Sequence, residues 1–194
     1  MWRLFVCLIM LCSFSAHAET IVLAGGCFWG VQGVFEHTKG VEKAVSGYAG
    51  GEAKTAHYAL VSTGETGHAE SVQVTYDPSK VTLEQILKVY FSVAHNPTEL
   101  NHQGADEGTQ YRSAIFYATP QQKKMAEEYI AQLEKQKVFS APIVTKLEPL
   151  KAFYPAEEYH QDYLKQHPDN PYIIINDHPK IDHLAKEFPE LYVK

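Results

Sequence analysis

The stretch LAGGCFWGVQG, residues 23–33, sets Cys27 between a glycine pair and the aromatic pair Phe28-Trp29. The β-branched run ETIVLA before the glycines predicts a short buried strand. From Cys27 to about His37 the apolar residues Phe28, Val31, Val34 and Phe35 recur at helical spacing. The sulfur therefore falls at the first turn of a helix, where unpaired backbone N–H groups and the positive end of the helix dipole favour thiolate. Gly25 and Gly26 permit a tight strand-to-helix turn without side-chain bulk over the sulfur. These features describe an accessible nucleophile; the competing reading is a small buried hydrophobe, and spacing alone leaves both open.

Three chemistries suit such a thiol. A cysteine hydrolase needs a histidine base and an orienting carboxylate, but Trp29 stands where a nucleophile elbow needs its second glycine. Zinc binding has no support in the ligand spacing, since one cysteine among scattered histidines forms no pattern. Thiol redox chemistry on an oxidised substrate is the third. Phe28 and Trp29 directly after the sulfur would give it an apolar wall suited to a methyl or thioether group, the alternative being two core residues of the first helix.

The rest of the chain bounds the choice. Residues 1–18, MWRLFVCLIMLCSFSAHA, carry one Arg, no acid and an apolar run ending in Ala16-His17-Ala18, the pattern of a secretory signal peptide, with an uncleaved anchor as the alternative. Cys7 and Cys12 lie in that segment, so residues 19–194 hold Cys27 alone and cannot form an internal disulfide. Without the leader the net charge moves from −6 to −7 and Arg112 is the one arginine left, which argues against nucleic acid as a partner. Residues 19–194 suit a single domain with a real core, and the tail from Pro168 reads as a wrapping segment and not as a second domain.

Further strands are predicted at VEKAVSGYA, at AESVQVTY, where Val72, Val74 and Tyr76 alternate with polar residues, at YRSAIFYA and at APIVTKLEPL. Helices are predicted after Thr82, after Thr119-Pro120, and around PAEEYHQDYLKQH. The order β-α-β-β-α-β followed by α-β-α predicts an α+β fold, a ferredoxin-like two-layer sandwich or roll with a mixed sheet and packed helices.

Four motifs in this order, GGCFWG, TGHAESVQVTYDP, HQGADEGTQYRSAIF and YHQDYL, resemble the peptide methionine sulfoxide reductases of the A type, in their single-cysteine form. The resemblance implies reduction of the S epimer of methionine sulfoxide, in proteins or as the free amino acid. It implies Cys27 as nucleophile, Phe28 and Trp29 as the pocket for the substrate's S-methyl group, Glu70 as the acid, Tyr58 and Tyr111 as holders of the sulfoxide oxygen, and Asp106 as a carboxylate near the thiol. His160 in YHQDYL is read as a structural, hydrogen-bonded residue and the other histidines as surface. An acid at residue 70 must be protonated near neutrality, which calls for a pKa raised by desolvation.

Many members of the family resolve the sulfenic acid with cysteines in a glycine-rich tail, whereas here no cysteine follows Cys27 and no glycine follows Gly108. The resemblance therefore implies no bound cofactor and an external reductant, either thioredoxin, glutaredoxin or a small thiol. With the leader removed, the enzyme would work in an exported, periplasmic setting. A thiol peroxidase using the same cysteine, and a non-enzymatic binder of oxidised or Met-rich segments, are the competing functions.

Overall fold

The computed structural model describes residues 17–194, so most of the segment read above as a leader lies outside the described residues. Strand β1 (Glu19–Ala24) buries both faces, Ile21 and Leu23 on one side and Val22 and Ala24 on the other. Gly26, with φ +89°, then turns the chain into helix α1 (Phe28–Glu36), a conformation a side chain would strain. Phe28, Val31, Val34 and Phe35 of α1 are buried against the sheet, each worth about 1.5–3 kcal/mol of apolar burial.

Strand β2 (Val41–Ala49), the one-turn helix α2 (Tyr58–Val61) and strand β3 (Ala69–Tyr76) follow. Helix α3 (Leu83–Val89) opens on a capping box in which Thr82 accepts from the Gln85 N–H. Its last turn runs on in a wider coil over Tyr90–Ala94. The two-residue strands β4 (His102–Gln103) and β5 (Asp106–Glu107) form a small hairpin before β6 (Ala114–Tyr117). Helix α4 (Pro120–Lys135) has Thr119 at its cap and Pro120 in its first turn, as the sequence predicts. Strands β7 (Lys146–Pro149) and β8 (Phe153–Pro155) precede three helices, α5 (Tyr163–Gln166), α6 (Pro171–Asn176) and α7 (His178–Glu187).

The fold is α+β, with a mixed six-stranded sheet in the order β7-β6-β1-β3-β2-β8. All neighbours run antiparallel except β6 and β7. Helices α1 and α3 cover the face that carries Ile21, Leu23, Val72, Val74 and Tyr76, where the main core lies. A smaller cluster of Val22, Ala24, Ala49, Ala69, Ala114 and Phe116 fills the other face. After α7 the chain returns to the end of α1, where Lys39 N–H donates to Leu191 and Val193 N–H to His37.

Two expectations need correction. The helix expected around residues 155–167 is broken into β8, a tight turn at Glu158–His160 and the four-residue α5. The cause is that side chains take the backbone bonds a helix would use. The Gln161 amide donates to the Ala156 carbonyl at 2.9 Å, and it also pairs with Ser46 of β2, at 3.0 Å to the N–H and 2.9 Å to the carbonyl. The Asp162 N–H meets Gln32 Oε1 at 3.1 Å, and Asp162 adopts a left-handed φ of +51°. The histidines besides His160 are also not all at the surface. His68 and His95 are buried with both ring nitrogens bonded, His68 to Gly51 and Glu52, His95 to Tyr90 and Ser113.

Candidate active site

Every residue proposed from the sequence lies at the end of β1 where α1 begins. Cys27 is half-buried at the N-cap of α1. Below it, Glu70 of β3 lies two residues before Val72 and so shares the helix-covered face of the sheet. Glu70 is 2% exposed and its Oε2 accepts the Phe28 N–H at 3.1 Å, so the first free donor of α1 points at the carboxyl. Tyr58 comes from α2, Asp106 from the β4-β5 hairpin, and Tyr111 from the turn at Thr109–Tyr111. The Gly26 N–H donates to the Tyr111 carbonyl at 3.2 Å and ties that turn to the glycine pair. Arg112 fixes the same turn through the carbonyls of Thr109 and Gly67.

The aromatic wall is larger than Phe28 and Trp29. Tyr163 stacks on the Trp29 ring at 3.7 Å between centroids, and Tyr172 stands edge-on to it at 5.7 Å. His160 sits 5.1 Å from the Phe28 ring and 4.4 Å from that of Tyr58, and its Nδ1 accepts the Trp29 indole N–H at 3.1 Å. That bond fixes the tautomer with the proton on Nε2, and burial lowers the pKa of the ring, so His160 is neutral. It is hydrogen-bonded, as expected, but it is also part of the wall.

The electrostatics are those of a crowded acidic site. Burial pushes Glu70 up to about 8, with the charge of Asp106 adding to the rise and the Phe28 N–H opposing it. Burial also pushes the Cys27 thiol well above its ordinary value, helped by the charges of Glu70 and Asp177. The Trp29 N–H and the Tyr172 hydroxyl pull the other way and do not prevail, so the helix start does not make Cys27 a thiolate at rest. Tyr58 and Tyr111 are both raised, chiefly by burial and then by Glu70, Cys27 and Asp106, and remain phenols able to donate. A buried neutral acid, a thiol and two phenols thus converge on one spot. Such a set can protonate and hold an oxygen while a sulfur is attacked.

The sequence profile of the family described as peptide methionine sulfoxide reductase matches residues 19–191. The chain belongs to that family. It is similar to the peptide methionine sulfoxide reductase MsrA 2 of Mesorhizobium japonicum, 63% identical over 175 residues that cover 90% of each chain. Among solved structures it resembles Mxr1 from Saccharomyces cerevisiae in reduced form, with a TM-score of 0.72 and 35% identity over 80% of this chain and 88% of that one. It also resembles Mxr1 in complex with Trx2, with a TM-score of 0.52 and 27% identity over 77% and 86% of the two chains. The enzyme is an oxidoreductase that reduces methionine sulfoxide to methionine, a protein-repair reaction.

In this reductase, sequence reasoning missed three residues of the site. Tyr163 was within reach, because it lies three residues after His160 in YHQDYL. Tyr172 donates to Asp106 Oδ2 at 2.5 Å and lies against the sulfur, yet it comes from a tail with no chemical motif. Asp177, 0% exposed, packs under the first turn of α1, where a Cβ at Gly30 would run into its Oδ1. Its partner is Lys180 Nζ at 3.2 Å. Among the described residues no group of three or more His, Cys, Asp or Glu is arranged to hold a metal ion. A cavity of about 480 Å³ lined by Glu19, Tyr76, Thr82 and Met125 lies at the start of β1, away from this chemistry.

Proposed function

We propose that the enzyme takes the S epimer of methionine sulfoxide, in proteins or free, with Cys27 as nucleophile and Glu70 as acid. The observation that carries this is the buried Glu70 carboxyl, protonated near neutrality and held by the first turn of the helix that bears the sulfur. The substrate methyl lies against Phe28 and Trp29, and its oxygen receives hydrogen bonds from Tyr58 and Tyr111. Cys27 attacks the sulfoxide sulfur while Glu70 gives its proton to the oxygen and collects the thiol proton. The oxygen then passes to Cys27, the substrate sulfur leaves as the thioether of methionine, and Cys27 is left as sulfenic acid. The sulfoxide is reduced by two electrons and the cysteine oxidised by two. Asp106, held by Tyr172, serves the later regeneration of the thiol.

Regeneration draws on an outside thiol, of thioredoxin, glutaredoxin or small-molecule type, because residues 19–194 offer no second cysteine. The yeast relative solved with Trx2 supports a protein reductant of the thioredoxin kind. The raised Cys27 pKa speaks against the peroxidase alternative, which depends on a resting thiolate. The signal-peptide pattern of residues 1–18 supports export to the periplasm. The run β6-β1-β3-β2 within the sheet, two crossovers over α1 and α3, supports a ferredoxin-like core extended by β7 and β8.

The test is a single turnover of reduced enzyme without reductant, offered the separated S and R epimers of a methionine sulfoxide peptide. One methionine per Cys27 thiol lost, from the S epimer alone, is the expected result. No methionine from either epimer with the thiol shown free would overturn the reading.

A further inference from the structure

Tyr58 depends on a carboxylate from the far end of the sequence. Its helix, α2, is a single turn of four residues, too short to hold itself. His57 at the N-cap makes no side-chain bond to it, and the loop before it is largely exposed. The Tyr58 N–H instead donates to Glu157 Oε1 at 2.9 Å, across 99 positions of sequence. The other oxygen, Oε2, accepts the Tyr48 hydroxyl at 2.8 Å. Tyr48 is fully buried in β2 directly across from Glu70 and touches the Phe28 ring at 5.9 Å between centroids. Glu157 lies three residues before His160, whose ring meets that of Tyr58.

One carboxylate thus joins the phenol-bearing turn, the strand beside the acid, and the segment that forms the aromatic wall. Burial opposes its charge, yet the N–H groups of Tyr58 and of Glu157 itself and the Tyr48 hydroxyl hold its pKa below the ordinary value. We infer that Glu157 is a positioning residue for the reduction step: it caps α2 from outside and so fixes where the Tyr58 hydroxyl meets the sulfoxide oxygen. This rests on the reading of Tyr58 given above. Glu157 does not reach the substrate; it acts through the backbone of the residue that does.

The geometry separates bridging from charge. A glutamine at 157 can still accept the Tyr58 N–H and donate to the Tyr48 oxygen, so Glu157→Gln keeps the bridge. Glu157→Ala removes it, and Glu157→Asp keeps the charge on a stem too short to reach both partners.

The experiment is a double-mutant cycle on the single-turnover rate at saturating S-sulfoxide peptide, after circular dichroism has shown each variant folded. Glu157→Ala is expected to slow methionine formation by about tenfold or more, as misplacement of a positioning group does, with a smaller change in half-saturating substrate. Glu157→Gln stays within about threefold of the parent. In a Tyr58→Phe background, Glu157→Ala adds less than about threefold, because the hydroxyl it positions is gone. If Glu157→Ala does not fold, Glu157→Asp is read in its place with the same expectations. A parental rate in the bridgeless variant, or an equal loss with and without the Tyr58 hydroxyl, overturns the inference. A parent that forms no methionine condemns the proposed reaction instead.

Discussion

Changing Glu70 to Gln isolates the proton from the shape of the site. The amide oxygen can still accept the Phe28 N–H that Glu70 Oε2 accepts at 3.1 Å, so the start of α1 keeps its anchor. What is lost is a group that can hand over a proton, and general acid catalysis of this kind is worth about 10²–10⁴ in rate. With a pKa of about 8, roughly nine-tenths of Glu70 carries its proton at pH 7 and roughly one-hundredth at pH 10. The parent's single-turnover rate should therefore be level up to about pH 7.5 and fall roughly a hundredfold by pH 10. The variant should start two or more decades lower and show no fall near pH 8. The assay is methionine released per enzyme in rapid-quench samples across that range. A Gln variant within tenfold of the parent at pH 7, or a parent rate that rises through pH 8, would refute Glu70 as the acid. The second outcome would mean that Cys27 must ionise before it can react.

The same substitution should stabilise the fold. The native state binds the Glu70 proton more tightly than the unfolded chain, so stability falls as pH rises from 4.5 to about 8, by an amount on the order of 5 kcal/mol. Denaturant melts should show Glu70→Gln gaining at pH 8 and gaining little at pH 4; equal melts at both would contradict the burial cost. Trp29→Phe removes the indole N–H from His160 and part of the stack on Tyr163, and should raise KM roughly tenfold with a smaller change in kcat. Asp177→Asn removes one of the charges that raise the thiol, so the pH dependence of Cys27 alkylation should move to lower pH. An unchanged or upward-moving titration would count against it. After one turnover without reductant, intact-mass analysis of residues 19–194 should show one added oxygen on Cys27 and no disulfide; an unchanged mass after methionine has formed would contradict the sulfenic-acid intermediate.

The strand-to-helix turn that carries Cys27 was legible because its local signals agree: β-branched residues, a glycine stop, then helical spacing from Phe28 to Phe35. The caps at Thr82 and Thr119 were legible for the same reason. Glu70 looks like a loop charge by type, but the period-two pattern places it on the face of Val72 and Val74, and the strand buries it. Other parts of the site were out of reach because their placement is tertiary. Tyr172 and Asp177 arrive from a tail whose path is set by packing on α1, where the glycine at position 30 admits the Asp177 carboxylate. The helix expected over 155–167 failed because Gln161 and Gln32 offered the backbone better partners than its own next turn. No local propensity records a side chain that completes the edge of a strand.

On the proposed mechanism, the balance of charge makes this thiol selective. Glu70 and Asp177 bear on it, Asp106 bears on Glu70, and the cation bound among them, Lys180, is engaged by Asp177. Such surroundings cannot stabilise a resting thiolate, so Cys27 does not offer itself to every electrophile. In the proposed mechanism it reacts where the substrate itself answers the charge problem. A sulfoxide oxygen can take a proton from Glu70 while the thiol returns one, and the net charge of the site is the same before and after. The cost of burying Glu70 is thereby converted into a requirement that the electrophile carry an oxygen within reach of the acid. Regeneration can use the same device: an incoming thiolate forms the S–S bond as the S–O bond of the sulfenic acid breaks, and the departing oxygen needs the proton that Glu70 has recovered. With a reductant whose thiol is already ionised below pH 7, this step should lose its rate with rising pH through about 8, as the first step does.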